Sequence, residues 1–111
     1  MRWEALRVGD RIHFHIDDAG SREVLGQARD GSIRGKRTGA GGKESLVVAL
    51  DQGLSIEGKF LAEVLLTPRH RQTVWTILSS WIAVYLAPVP EFGTGEFKAV
   101  FAIAVLRRAR T

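Results

Sequence analysis

Residues 11–17 read RIHFHID, and their alternation decides the fold. Ile12, Phe14 and Ile16 fall on one side, while Arg11, His13, His15 and Asp17 fall on the other. A period of two is the mark of a strand with one face in a core and one in water. Upstream, Gly9-Asp10 supplies a turn that starts this strand. Downstream, DDAGS (17–21) supplies turn residues, and REVLGQARD (22–30) reads as the hairpin partner. The glycine-rich stretch that follows reads as a long loop. SLVVALD (45–51) is a β-branched apolar run ending in the turn DQG (51–53), and KFLAEVLL (59–66) is a further strand stopped by Thr67-Pro68.

Past Pro68 the period changes. Thr67 at the cap and Pro68 at the first helical position predict a helix over 68–79. Val74, Ile77, Leu78 and Trp81 then form a stripe that closes one end of a barrel. WIAVYLA (81–87) reads as a strand and PVPEFGTGE (88–96) as a loop. FKAVFAIAVL (97–106) fits either a strand or a helix, with a strand pairing to WIAVYLA favoured. The expectation is one mainly β (α+β) domain over residues 1–111. It consists of a small antiparallel barrel over 8–67, one helix, and a C-terminal apolar hairpin or strand–helix pair within 68–111.

Composition narrows the function. A chain of 111 residues with 45% hydrophobic and 25% charged residues is long enough for one core and too apolar to be disordered. There are 0 cysteines, which removes disulfides and thiolate chemistry. The N-terminal MRWEALRVGD lacks the apolar core of a signal peptide, which predicts a cytoplasmic protein. Residues 72–90 carry no charge, but polar side chains and two prolines interrupt them, so a buried helix followed by a strand explains them better than a membrane span.

The net charge of +4 is concentrated. Between Arg29 and Lys43, Arg29, Arg34, Lys36, Arg37 and Lys43 stand against a single anion, Asp30. Further cations gather at Arg69-His70-Arg71 and at Arg107, Arg108 and Arg110. Flexible backbone and positive charge in one place have two readings: a site for an anion, or a solvated hairpin loop.

Two short motifs sharpen the first reading. Arg7-Val8-Gly9-Asp10-Arg11 is an R-x-x-x-R segment directly before the first strand, and Asp30-Gly31-Ser32-Ile33-Arg34-Gly35 is a D-x-S-x-x-G segment after the second. In that order, and confined to residues 1–60, they resemble the two signatures of the PilZ domain family. PilZ domains are small β-barrels that bind the bacterial second messenger cyclic diguanylate. The resemblance implies that Arg7 and Arg11 clamp the ligand, that Asp30 and Ser32 hydrogen-bond a guanine, and that Gly35 lets the backbone approach. Arginine forks suit both phosphate and the guanine O6/N7 edge. A second reading keeps an SH3-like barrel in which Arg34, Lys36, Arg37 and Lys43 neutralise a nucleic-acid backbone or meet a protein partner. A strand edge or the C-terminal apolar elements would serve a homodimer instead.

Other chemistries find less support. His13 and His15 share a strand face, but no third ligand accompanies them and no metal is expected. GAGGKES places Glu44 where a P-loop needs Ser or Thr, so an NTPase is rejected. Asp17 and Asp18 read as neighbours on a turn, pointing apart, and Ser32 has no histidine tied to it. Trp3, Trp75 and Trp81 read as core or end-cap residues, with an apolar pocket as their rarer use. No enzyme activity and no cofactor are expected.

Overall fold

The computed structural model describes residues 1–20, 22–39, 42–56, 58–89 and 102–109. Six antiparallel strands form a closed barrel in sequence order: β1 (Arg11–Ala19), β2 (Ala28–Thr38), β3 (Glu44–Ile56), β4 (Lys59–Pro68), β5 (Trp81–Pro88) and β6 (Ala102–Arg108). A 3₁₀ turn (Trp3–Ala5) precedes β1, and a five-residue helix α1 (Val74–Leu78) joins β4 to β5. Pairing of β1 with β6 closes the barrel, so each strand is paired on both sides over part of its length.

The alternation that marks β1 continues around the wall. Ile12, Phe14 and Ile16 point inward, as do Ile82, Val84 and Leu86 of β5 and Ala102, Ala104 and Leu106 of β6. Small residues lie beside large ones, as a narrow interior requires: Ala104 is flanked by Ile16 and Val84 on the neighbouring strands. Trp3 and Leu6 plug one mouth of the barrel and are both buried. The mainly β, single-helix antiparallel barrel expected from the sequence is therefore present.

Several boundaries differ from expectation. The barrel does not close within residues 8–67; β5 and β6 complete it. GSIRGKRT is the body of β2 and not a loop, while most of 20–27 forms the turn. Its glycines mislead because they look like flexibility. At Gly31 a Cβ would stand 2.6 Å from the Ala49 carbonyl oxygen, so the residue is small to let β3 approach. A bulge at Arg34 lies between the Ile33–Val48 and Gly35–Val47 pairs. DQG is likewise no terminal turn: β3 runs through it with an irregularity between Ala49 and Leu54.

The helix is shorter and later than 68–79. Pro68 ends β4 opposite Val84, a strand position that tolerates a missing N–H, and the Thr67 hydroxyl bonds Ser45 Oγ at 2.8 Å instead of capping. Thr73 is the true cap: it accepts from the Thr76 N–H, and Thr76 answers with its hydroxyl to the Thr73 backbone. None of the five residues of α1 is buried, so the expected stripe does not close the barrel end. Within FKAVFAIAVL, residues 102–106 form a strand paired to β5, as favoured. Phe97 and Phe101, and residues 90–96 of the expected 88–96 loop, lie outside the described residues.

Candidate anion-binding site

The turn before β1 is laid directly onto β2. Arg7 to Asp10 closes on itself through Asp10 N to Arg7 O at 3.0 Å and Arg7 N to Asp10 Oδ2 at 2.9 Å, with Gly9 at φ +96°. Only glycine holds that conformation cheaply. The Gly9 N–H then donates to Ile33 O (2.7 Å), and the Ile33 N–H donates to Asp10 O (2.9 Å). These two bonds carry the R-x-x-x-R segment onto the middle of the D-x-S-x-x-G segment.

The strand register does the rest. Arg11 pairs with Ser32 and His13 with Asp30. Because Ile12 and Gly31 between them face the core, all four side chains lie on the outer wall. Arg11 Nη1 donates to Ser32 Oγ at 3.0 Å, and His13 Nδ1 meets Asp30 Oδ1 at 2.8 Å. The guanidinium is also gripped from β3: Nη1 donates to Asp51 Oδ1 at 2.7 Å, and Nη2 to Asp51 Oδ2. That fork holds the Asp51 carboxyl below its ordinary range, the hydrogen bond outweighing desolvation, and raises Arg11 above its own.

Of the motif residues, Arg11, Asp30 and Ser32 are thus brought together. Arg7 lies on the preceding turn with its side chain exposed. Gly35 lies beyond the bulge, where a Cβ would meet nothing within 4 Å and φ is not positive. Neither sterics nor backbone geometry requires glycine there. Asp51 was missed because it lies 40 residues from Arg11 and reads as turn chemistry. The one signal was the polar Asp51-Gln52 step breaking an apolar run.

The cations of the nucleic-acid reading are partly neutralised. Arg34 pairs with Glu63, and Lys36 Nζ lies 3.5 Å from Glu44. Arg37 and Lys43 are exposed. Arg29 is structural, donating to the carbonyl oxygens of Gly53 (3.2 Å) and Ala28 (2.7 Å) and to Gln27 Oε1 (2.7 Å). His13 and His15 each face a carboxylate, Asp30 and Asp17, and no metal-binding group of three occurs among the described residues.

Asp17 and Asp18 do not sit on a turn pointing apart. They lie in β1 at a bulge between Ile16 and Asp18, and both line a cleft of about 420 Å³ together with Arg69, His70 and the apolar floor of Trp81, Ala83, Ile103 and Val105. The tryptophans divide three ways: Trp3 is core, Trp81 is part of this floor, and Trp75 is exposed rather than an end cap. No protein-family model matches the chain, nor does any curated protein or solved structure.

Proposed function

We propose that the protein is a non-catalytic binding module for an anionic ligand, seated on the outer β1–β2 wall, and that cyclic diguanylate is the ligand it suits most specifically. The observation that carries this reading is the pair of bonds joining Gly9 and Asp10 to Ile33, which lays the Arg7–Arg11 segment against β2, with Arg11 bonded to Ser32. Arg7 and Arg11 offer forks for a phosphate or a guanine edge. Asp30 accepts from guanine N–H groups, and Ser32 donates or accepts as needed. Gly35 leaves the strand open to a ligand's close approach. Arg11 is held by Asp51 meanwhile, so binding exchanges one anion for another instead of filling an empty cationic hole.

Titration of cyclic diguanylate into the protein by calorimetry tests the reading. Binding that disappears in both Arg7→Ala and Arg11→Ala supports it. Absence of heat and of any thermal shift at ligand concentrations well above micromolar removes it. The competing reading, a basic barrel holding nucleic acid, rests on Arg37 and Lys43 and is weakened by the ion pairs on Arg34 and Lys36.

A further inference from the structure

Helix α1 presents its large apolar side chains to water. Val74 is 72% exposed, Trp75 81% and Leu78 75%, which is unusual for a tryptophan beside two aliphatic residues. This is not a frayed segment. The Thr73–Thr76 capping box fixes its start, and Ser79 Oγ donates to Trp75 O at 3.1 Å at its end. Just before it, Gln72 is tied to the Trp3 N–H (2.9 Å) and the Met1 carbonyl (2.8 Å), which anchors the segment to the barrel plug. The apolar tip is therefore held outward by its own framework.

Cations flank that tip. Arg2, Arg107 and Arg108 line, with Met1 and Ser80, a pocket of about 430 Å³ at the end of the α1 connection, and among the described residues no acidic one lines it. Arg107 stands directly across from the half-exposed Trp81 on the neighbouring strand. Arg69 and His70, by contrast, share their cleft with Asp17 and Asp18.

We infer that α1 and these arginines dock the protein on an anionic phospholipid surface. The tip supplies a tryptophan and two aliphatic side chains at the depth where the headgroups meet the acyl chains. The arginine pocket supplies phosphate contacts just above that level. Neither signal suffices alone, since one short apolar wedge or one basic cluster gives only marginal membrane affinity. A folded protein partner fits less well, because a single helical turn is small against the roughly 800 Å² per side of a stable interface. No helix among the described residues is long and apolar enough to span the bilayer. Arg107 pairs across β1–β6 with His13 and so adjoins the β1–β2 wall, while the apolar tip belongs to α1.

Flotation of the full chain with vesicles tests the inference. Binding is expected to phosphatidylcholine vesicles containing phosphatidylglycerol and not to phosphatidylcholine alone, with a blue shift of tryptophan emission. Trp75→Ser with Leu78→Ser changes only exposed side chains, so the variant should keep the parent's melting temperature and lose vesicle binding. Arg107→Gln with Arg108→Gln should weaken partition by about tenfold or more. Soluble glycerol phosphate should not release the protein, and the Arg7→Ala Arg11→Ala variant should bind vesicles like the parent. Equal binding to neutral and anionic vesicles, or full binding by the Trp75/Leu78 variant, overturns the inference. So does release by glycerol phosphate, loss of vesicle binding in the Arg7/Arg11 variant, or light scattering that shows a dimer hiding Trp75.

Discussion

Two glycines of one short motif make opposite predictions. At Gly31 an added Cβ would stand 2.6 Å from the Ala49 carbonyl oxygen and 2.7 Å from Val48 Cγ1, well inside ordinary contact. Both obstacles belong to β3, and one of them is backbone, so relief requires β2 and β3 to part. Overpacking of this kind costs about 1–3 kcal/mol. Because φ at Gly31 is not positive, replacing glycine returns about 0.4–1 kcal/mol through the unfolded chain. The net expectation for Gly31→Ala is a loss of about 1–2 kcal/mol, or roughly 4–8 °C in melting temperature for a chain of this length. At Gly35 a Cβ meets nothing, so Gly35→Ala should melt at the parent temperature or a few degrees above.

Differential scanning calorimetry of the two variants beside the parent decides the structural half. If Gly31→Ala melts with the parent, the close approach of β2 to β3 is wrong. Ligand titration decides the functional half. A stable Gly35→Ala that no longer binds cyclic diguanylate identifies a glycine kept for ligand approach. If that variant binds as the parent does, Gly35 has no place in the site.

Asp51→Asn should release Arg11 and raise affinity for the anionic ligand severalfold in calorimetry; unchanged affinity would mean that Asp51 does not gate the site. Because the Asp51 carboxyl is held below its ordinary value, its contribution to stability is present above about pH 4 and fades as pH falls through the folded value. The parent should therefore lose stability on acidification more than Asp51→Asn does, read from urea midpoints at successive pH values. Asp30→Ala should weaken cyclic diguanylate binding but slightly strengthen a purely electrostatic contact, and a protein indifferent to it in both assays would point to a solvated strand with no ligand. Trp3→Ala should cost about 3–5 kcal/mol by opening the plugged mouth, whereas Trp3→Phe, which also removes the unpartnered buried indole N–H, should cost much less in the same urea titrations.

The barrel was legible wherever one residue's environment depends on its near neighbours. RIHFHID and WIAVYLA alternate because each inward position is apolar and each outward one is wet or small, and no distant contact is needed to see it. β2 was illegible for the opposite reason. Gly31 is small because of Ala49 and Val48, residues brought close only by the fold, and by composition alone such a glycine is indistinguishable from one in a loop. The helix start failed by competition between two local signals. Thr67-Pro68 is the stronger cap pattern on paper, but β4 claims both residues for pairing with β5, and the weaker Thr73–Thr76 box is left to begin the helix. At the site, Arg11, Asp30 and Ser32 are grouped by the PilZ resemblance and not by the strand pattern, because the expected hairpin partner (22–30) ends before Ser32, which the observed register sets opposite Arg11. Asp51 could not be grouped with them, since it reaches Arg11 through the pairing of β3 with a β2 whose sequence reads as a loop.

The pairing state of the cations also decides how a sequence-blind contact must behave. A cation already matched to a carboxylate brings no phosphate counterion release of its own, because neutralising a phosphate means abandoning its partner. Arg11, Arg34 and Lys36 are matched to Asp51, Glu63 and Glu44. Arg37 and Lys43 remain from the β2–β3 region as exposed charges of the nucleic-acid reading. Two phosphate contacts give a slope of log affinity against log salt of only about −1.4 to −1.8. A barrel that held nucleic acid through all four cations of the reading would show about twice that slope. Fluorescence titration of a labelled single strand at several salt concentrations distinguishes them. A slope near the four-charge value, lost when Arg34, Lys36, Arg37 and Lys43 are changed together, would show that the ion pairs open on binding and would return the nucleic-acid reading to first place. A shallow slope with weak affinity leaves the β1–β2 wall as the specific site, where an anion must bring hydrogen bonds to Asp30 and Ser32 besides its charge to displace Asp51.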